Sequence, residues 1–337
     1  MMNLLFTCAG RRNYLINYFK EALNGEGRIL AADMQRTAPA MVDADESFIV
    51  PGIYDDNYIE SIEEIIQKEQ VDAVISLNDL ELPILSENKS RLEKFGCKVI
   101  VSDKRPINIS FDKWETNMFL EVIGLKYPKT YIHLEEAIKA LNNKQLNFPL
   151  VIKPRWGSAS IGIDFPEDLR ELELGYELQL LKLKRTILAE ASSEDLDHSI
   201  LIQEKLGGIE YGMDILNDFE GNYVGTFVRE KKAMRSGETD KASSVIDSRF
   251  EKIGRHIGEN LKHFGNLDCD LFEYNNELYV LELNPRFGGG YPFSHEAGVN
   301  TAAIYIEWLK GNKDVSRFIN YKEDIMFSKS DRLIRVN

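Results

Sequence analysis

The sequence predicts an α/β protein: a Rossmann-like parallel sheet first, then α+β lobes built around antiparallel hairpins. Three observations carry this reading. Over the first hundred residues, short apolar runs alternate with segments whose apolar residues recur at helical spacing, the pattern of a parallel sheet covered on both faces. Two later stretches, 209–229 and 267–283, read as strand–turn–strand units. The chain of 337 residues is long enough for two or three lobes, each with a substantial core.

The first run, 4–8, ends at Ala9-Gly10. Leu15, Tyr18, Phe19, Ala22 and Leu23 then mark a helix, with Gly25 as its C-terminal stop. Strands follow at 28–33 and 47–50, a helix face at Tyr58, Ile59, Ile62, Ile65 and Ile66, and strands at 71–76 and 97–102. Residues 8–13 sit where a Rossmann phosphate loop would lie, and Asp33 falls near the ribose-acid position, but the three-glycine fingerprint is absent. The carboxyl ends of the strands should form a crevice near Gly10, Arg11, Arg12, Asn78 and Asp79. Arg11 and Arg12 there suit an acceptor carboxylate, or are solvated charges at a helix start.

In the middle of the chain Asp112 opens a helix carrying Lys113. Lys153 closes an apolar strand at 150–154, followed by the small residues Gly157, Ser158, Ala159, Ser160 and Gly162. Backbone N–H groups of such a flap can close over phosphates; a plain hairpin turn is the other reading, and the P-loop ending is missing. Asp164 and Glu167 have capping-box spacing ahead of a helix stripe at Leu169, Leu172, Tyr176, Leu180 and Leu183. A strand at 199–206 runs into a polar segment, and 209–216 pairs with 223–229 across a turn at 218–221. A basic loop with Arg229, Lys231, Lys232, Arg235, Glu238, Thr239 and Lys241 is expected next, either solvated or closing as a lid. An amphipathic helix is expected at 246–264.

The stretch 278–290 carries the most chemistry. Glu282 and Asn284 share one face of an apolar strand, Pro285 ends it, Arg286 adds a cation, and Gly288, Gly289 and Gly290 permit close backbone approach. A hairpin centred on Asn276 places Asp270 opposite Glu282, Cys269 opposite Leu283 and Leu271 opposite Leu281. Facing carboxylates repel unless a cation lies between them, and hard oxygen donors beside an Arg suit a Mg-bound polyphosphate. A solvated polar face is the alternative.

Composition narrows the class. A net charge of −14 argues against nonspecific nucleic-acid or anionic-membrane binding. Cys8, Cys97 and Cys269 have neither metal nor disulfide spacing, so a reducing cytoplasm is the expected location. No signal peptide is evident, and no apolar run reaches the ~20 residues of a spanning helix. The five histidines are scattered; His295, which follows the glycine loop, is the one aimed at an acceptor site.

In order and spacing, these motifs resemble the ATP-grasp superfamily, in particular small carboxylate–amine ligases similar to one half of the carbamoyl-phosphate synthase large subunit. The resemblance covers nearly the whole chain. It implies a pre-ATP-grasp domain over 1–110, an ATP-grasp lobe over 111–195, and a second lobe with a C-terminal extension over 196–337. It also implies ATP and two Mg2+ ions as cofactors. Lys113 and Lys153 match the basic residues on the nucleotide phosphates, and Gly157, Ser158 and Ser160 fall in the phosphate-covering flap. Gln203, Glu204, Lys205 and Leu206 match the adenine clamp, and Glu210 the acid on the ribose hydroxyls. Asp270, Glu282 and Asn284 match the metal ligands; Arg286 and Lys153 are the implied catalytic residues at the transferred phosphoryl group. Arg11, Arg12, Arg235, Glu238, Thr239 and His295 are the candidate substrate contacts.

The implied chemistry converts a carboxylate to an acylphosphate that an amine then attacks, releasing ADP and phosphate. The implied partners are a small-molecule acid and amine, with a homodimer as the family's frequent assembly. An amino-acid ligase is the first expectation. An enzyme modifying a sugar acid in surface-polysaccharide or secondary-metabolite synthesis is the second, and a non-catalytic ATP-binding module the third. A nicotinamide oxidoreductase rests only on the first strand–loop–helix. Two departures stand out: the flap is poorer in glycine than is usual in the family, and a second ATP-grasp half is lacking, which disfavours carbamoyl-phosphate synthesis itself. The short C-terminal tail disfavours biotin carboxylase.

Overall fold

The computed structural model describes residues 1–157 and 162–336. Strands β1 (Met2–Thr7), β2 (Gly27–Asp33), β3 (Glu46–Ile49), β4 (Ala73–Ser76) and β5 (Lys98–Ile100) form a parallel sheet in the order β3-β2-β1-β4-β5. Side chains alternate between two cores: Leu4, Phe6, Ile29 and Ile75 enter one, Leu5, Leu30, Val74 and Val99 the other. That period of two is why these strands read as unbroken apolar runs. The order reverses between β1 and β4, and a ligand crevice is expected at the carboxyl ends of such a pair.

A three-stranded antiparallel sheet, β6 (Thr130–Tyr131), β8 (Ile200–Glu204) and β7 (Leu150–Pro154), packs against helices Leu134–Asn142 and Leu169–Leu183. β8 is the central strand of this sheet, hydrogen-bonded to β6 on one side and β7 on the other. The cap of the second helix is Asp168, whose carboxylate accepts from Glu171 N–H at 2.8 Å, one turn beyond the expected Asp164. A six-stranded antiparallel sheet follows in the order β13-β12-β9-β10-β11-β14: β9 is Ile209–Asn217, β10 Tyr223–Arg235, β11 Glu238–Val245, β12 Gly265–Tyr274, β13 Glu277–Asn284 and β14 Met326–Ser328. One face carries Met213, Ile215, Cys269, Leu271, Val280 and Leu283 into a core with helices Lys113–Val122 and Ser248–Leu261.

The first core continues into the C-terminal part of the chain. Helix Asn13–Leu23 packs on helix Thr301–Leu309, and Phe19 meets Phe287 and Tyr305 edge-on at 6.0 and 5.9 Å. This apolar seam sets the parallel sheet beside the polar face of the six-stranded sheet. Among the described residues no helix is long and apolar enough to cross a membrane.

The expected basic loop at 229–241 is a hairpin. β10 continues to Arg235 and pairs with β11 across Ser236-Gly237, both at positive φ. Its inward positions are Arg229 and Lys231, so apolar/polar alternation is lost where the strand turns charged side chains towards the interior.

Candidate active site

The polar face of the six-stranded sheet is assembled in register. Glu282, Asp270, Gly212 and Arg229 are successive partners across β13, β12, β9 and β10; Asn284, Asp268, Asp214 and Phe227 form the next row. Glu210 and Lys231 lie two residues along from Gly212 and Arg229, hence on the same face. A Cβ at Gly212 would stand 2.8 Å from Arg229 nitrogens, so glycine leaves the room in which that guanidinium lies. Gly290 approaches the same guanidinium from above, which identifies what the glycine loop packs against.

The β12–β13 register follows the sequence reading on one side of a bulge and departs from it on the other. Asp270 faces Glu282 and Cys269 faces Leu283, as the centre on Asn276 requires. Nearer the turn, Leu271 faces Val280, not Leu281, and Tyr274 faces Glu277. Asn275 and Asn276, with φ of 52° and 63°, make a two-residue turn that shifts the pairing by one. The extra residue is Leu281, and the bulge restores the register at the carboxylates. Leu281 leaves the core for a cavity wall, and Val280 takes its expected place.

Each charge on this face has a partner. Arg229, almost wholly buried, binds Asp214 at 2.6 Å and Asp268 at 2.5 Å. Asp214 also accepts from Asn266 at 2.8 Å and from Ser294 at 2.6 Å. Burial pushes the Asp214 carboxyl up despite Arg229. Burial also acts to raise Asp268, but Arg229, Arg286 and Lys231 together hold it below the ordinary carboxylate value. Arg286 bridges Asp79 of the first domain at 2.6 Å and Asp268 at 3.4 Å. Lys231 lies 2.7 Å from both Glu210 and Asp270. Burial drives Asp270 upward, with Asp268 and Glu282 adding to it and Lys231 opposing. Asp214, Asp268 and Lys231 carry this network, and none stands out in the sequence as more than a strand residue or a loop charge.

Lys113 and Lys153 converge on this face from the other lobe. Lys113 donates to the Gly157 carbonyl and lies 4.0 Å from Glu282. Lys153 donates to Gln203 Oε1 at 3.0 Å, and burial, then repulsion from Lys113, pulls its ammonium down to about 8 against the attraction of Glu282. These two lysines line a cavity of about 620 Å³ together with Gly157, Phe165, Gln203, Glu204, Lys205, Leu206, Glu210, Asp270, Leu281 and Glu282. Ser158 and Ser160 lie outside the described residues.

A second cavity, of about 330 Å³, lies where the parallel sheet meets the polar face. The ends of β1 and β4 contribute Gly10, Arg11, Arg12 and Asp79; the opposite wall has Glu238, Thr239, Asp270, Glu282, Asn284 and Arg286. Asp270 and Glu282, with Met234 and Gly237 of the hairpin tip, border both cavities. Arg12 binds Glu238 at 2.9 Å.

Two expected contacts lie elsewhere. Arg235 faces outward and pairs with Asp331 at 2.7 Å. His295 stacks on Tyr18 at 3.6 Å and borders neither cavity, because the helix after the glycine loop turns it towards helix Asn13–Leu23. Asp33 spends its carboxylate on the N–H groups of Gly10 and Gln35, both at 2.8 Å, which removes the one acid a dinucleotide reading would use.

Among the described residues no three His, Cys, Asp or Glu side chains form a ready-made cation cluster. The wall offers two facing carboxylates plus Asn284, whose amide donates to Glu282 at 3.3 Å. Mg2+ is commonly bound by one or two carboxylates together with substrate phosphates, so this hard-oxygen set fits a nucleotide-borne ion.

Comparison with known proteins agrees with this architecture. A PylC-like N-terminal domain model matches residues 4–100, and a model described as ATP-grasp in the biosynthetic pathway with Ter operon matches 197–332. The carbamoyl phosphate synthase large chain of Campylobacter jejuni is 25% identical over 299 residues, 82% of this chain and 26% of that protein. The N-terminal section of the Aquifex aeolicus enzyme is 23% identical over 330 residues, 88% of this chain and 55% of that one. The chain therefore spans from about a quarter to about half the length of these relatives.

Solved structures with the same fold include the biotin carboxylase–β,γ-ATP complex of Campylobacter jejuni, with a TM-score of 0.73 and 16% identity over 96% of this chain and 74% of that one. The biotin carboxylase domain dimer of Hydrogenobacter thermophilus 2-oxoglutarate carboxylase, bound to MgADP, has a TM-score of 0.71 at 17% identity, covering 95% and 71%. The L-amino acid ligase of Bacillus licheniformis has a TM-score of 0.66 at 18% identity, covering 94% and 76%. A PylC-like N-terminal domain model and an ATP-grasp domain model match successive parts of the chain, which is thus similar in sequence and in fold to ATP-grasp proteins.

Proposed function

We propose that the protein is an ADP-forming ligase that activates a small carboxylate as an acylphosphate and joins it to an amine. The observation that carries this reading is the pair of cavities meeting at the Asp270–Glu282 wall. A nucleotide seated in the larger one presents its terminal phosphate to an acceptor seated in the smaller one. MgATP, when bound, supplies the phosphoryl group and the cation that neutralises its charge.

The chain's own residues do the rest. Gln203, Glu204, Lys205 and Leu206 receive the base, against the apolar surface of Phe165, Phe272 and Leu281. Glu210 takes the ribose hydroxyls. Lys113 and Lys153 hold the phosphates, and Asp270, Glu282 and Asn284 hold the cation. Arg286, pinned by Asp79 and Asp268, turns its charge to the transferred group and the acceptor carboxylate. Phosphoryl transfer needs this positioning and charge neutralisation more than a protein nucleophile.

An amino acid is the acceptor that a lining of intermixed guanidinium and carboxylate groups favours. A sugar acid is the second reading, favoured by the biosynthetic setting in the matched family model's description. Homodimerisation is part of the proposal, as one neighbour of the same fold is a domain dimer. The test is ADP and phosphate release against pooled acids and amines, with mass spectrometry of the product. A coupled product containing one acid and one amine is expected; nucleotide binding without ADP release across the panel would favour a non-catalytic module.

A further inference from the structure

Helix Leu169–Leu183 is apolar on two faces, and the fold covers only one of them. Leu172 and Leu183, with Tyr176 and Leu180 beside them, pack on the three-stranded sheet. Leu174, Leu178 and Leu181 recur at helical spacing on the opposite side and are 48%, 46% and 55% exposed. A surface helix ordinarily turns charged and polar residues outward along such a row. None of these three leucines borders either cavity, so the proposed ligands leave the row uncovered.

The charges flanking the row are segregated by sign. Glu171, Glu173 and Glu177 are exposed along its first half, with Arg170 paired to Glu173 at 3.9 Å. Lys182, Lys184 and Arg185 are exposed at its far end. Among the described residues Glu177, Lys182, Lys184 and Arg185 form no ion pair. An apolar row with acids at one end and bases at the other is complementary to itself when turned end for end. A two-fold axis near Leu178 sets two such helices antiparallel, with Leu174 of each copy towards Leu181 of the other and acidic half against basic half. A parallel pairing would instead set like charges level, which is costly at an interface.

We propose that this face is where two copies of the chain meet. The helix of 15 residues is about 22 Å long and, with side chains, about 10 Å wide. That contact is far smaller than the ~800 Å² per partner of a standard interface, so the dimer forms reversibly with concentration. The inference gives the homodimer of the proposed function a surface, and it does not depend on the ligase chemistry.

The test is sedimentation velocity over a concentration series. Wild type should pass from monomer to dimer as its concentration rises. Leu178→Asp, at an exposed position, should keep the wild-type melting curve and raise the dissociation constant at least about ten-fold. Glu173→Lys with Glu177→Lys should weaken association, and so should Lys182→Glu with Arg185→Glu. An equimolar mixture of these two double variants should associate again, because one helix is then wholly basic and the other wholly acidic. Charges placed only to suit the helix dipole would give no such recovery, and its absence would overturn the proposal. A dimer that Leu178→Asp leaves intact would place the contact on another surface and overturn the proposal while homodimerisation stands. A wild type that stays monomeric up to several hundred micromolar would overturn both, and neither result would bear on ADP release.

Discussion

The two cavities differ in how their walls are satisfied. The larger is lined mostly by apolar surface, including Val151, Ile163, Phe165, Leu206, Phe272 and Leu281. The smaller is lined by charges that already have partners: Arg12 with Glu238, Arg286 with Asp79, Arg229 with Asp268 and Lys231 with Asp270. An apolar wall accepts a flat ring through buried area alone. A wall of paired charges admits only a ligand that completes or exchanges those pairs, because an analogue missing one polar group leaves a buried charge unmatched. On the proposed function, discrimination between substrates would belong to the smaller cavity and generic nucleotide binding to the larger.

The comparison breaks most completely at the shared wall. Glu282→Ala combined with Asn284→Ala should lower ADP release by roughly 10³-fold or more, since charge-stabilising groups at a transferring phosphate are commonly worth that much. Circular dichroism and the melting curve should stay close to wild type. ADP release at the wild-type rate with the true substrates would remove Glu282 and Asn284 from the cation site.

The largest effect on stability belongs to the smaller cavity. Arg229→Met leaves Asp214 buried without a cation and Asp268 with Arg286 alone at 3.4 Å, and should cost about 3–5 kcal/mol in urea unfolding. Adding Asp214→Asn and Asp268→Asn should recover part of that loss, because the penalty lies in the unpaired charges. If the triple variant were no more stable than the single one, packing rather than charge would hold this floor together.

A smaller effect distinguishes the larger cavity through pH. Lys153 is held down at about 8 by burial and by Lys113, below the ordinary lysine value. The folded lysine thus sheds its proton before the unfolded one does, so nucleotide-free stability should rise with pH from about 8 towards the ordinary lysine range. Affinity for MgADP should fall over the same window, because the phosphates need the ammonium. Lys153→Arg, charged throughout, should flatten the affinity profile measured by calorimetry.

Much of this arrangement is legible in the sequence, for definable reasons. The parallel sheet shows as apolar runs between helical repeats, and the β12–β13 hairpin shows because Glu282 and Asn284 interrupt an apolar strand that Pro285 ends. The bulge at Leu281 leaves no such mark: one extra residue changes no composition, and an Asn-Asn turn fits either register. The extension of β10 is hidden because its inward side chains, Arg229 and Lys231, are charged, and inward charges make a strand read as a loop. Asp79 and Arg286 lie 207 residues apart, and no local pattern links them. His295 follows the glycine loop as expected but is turned to Tyr18 by a short helix whose direction the sequence does not encode locally.

Asp270 and Glu282 are proposed to form a wall that takes a nucleotide-borne cation. Titration of ADP with and without Mg2+, into wild type and Asp270→Asn, tests it most directly. Mg2+ should tighten ADP binding to the wild type at least ten-fold and have little effect on Asp270→Asn, while the affinity for metal-free ADP changes little. Equal Mg2+ dependence in the two proteins would contradict it.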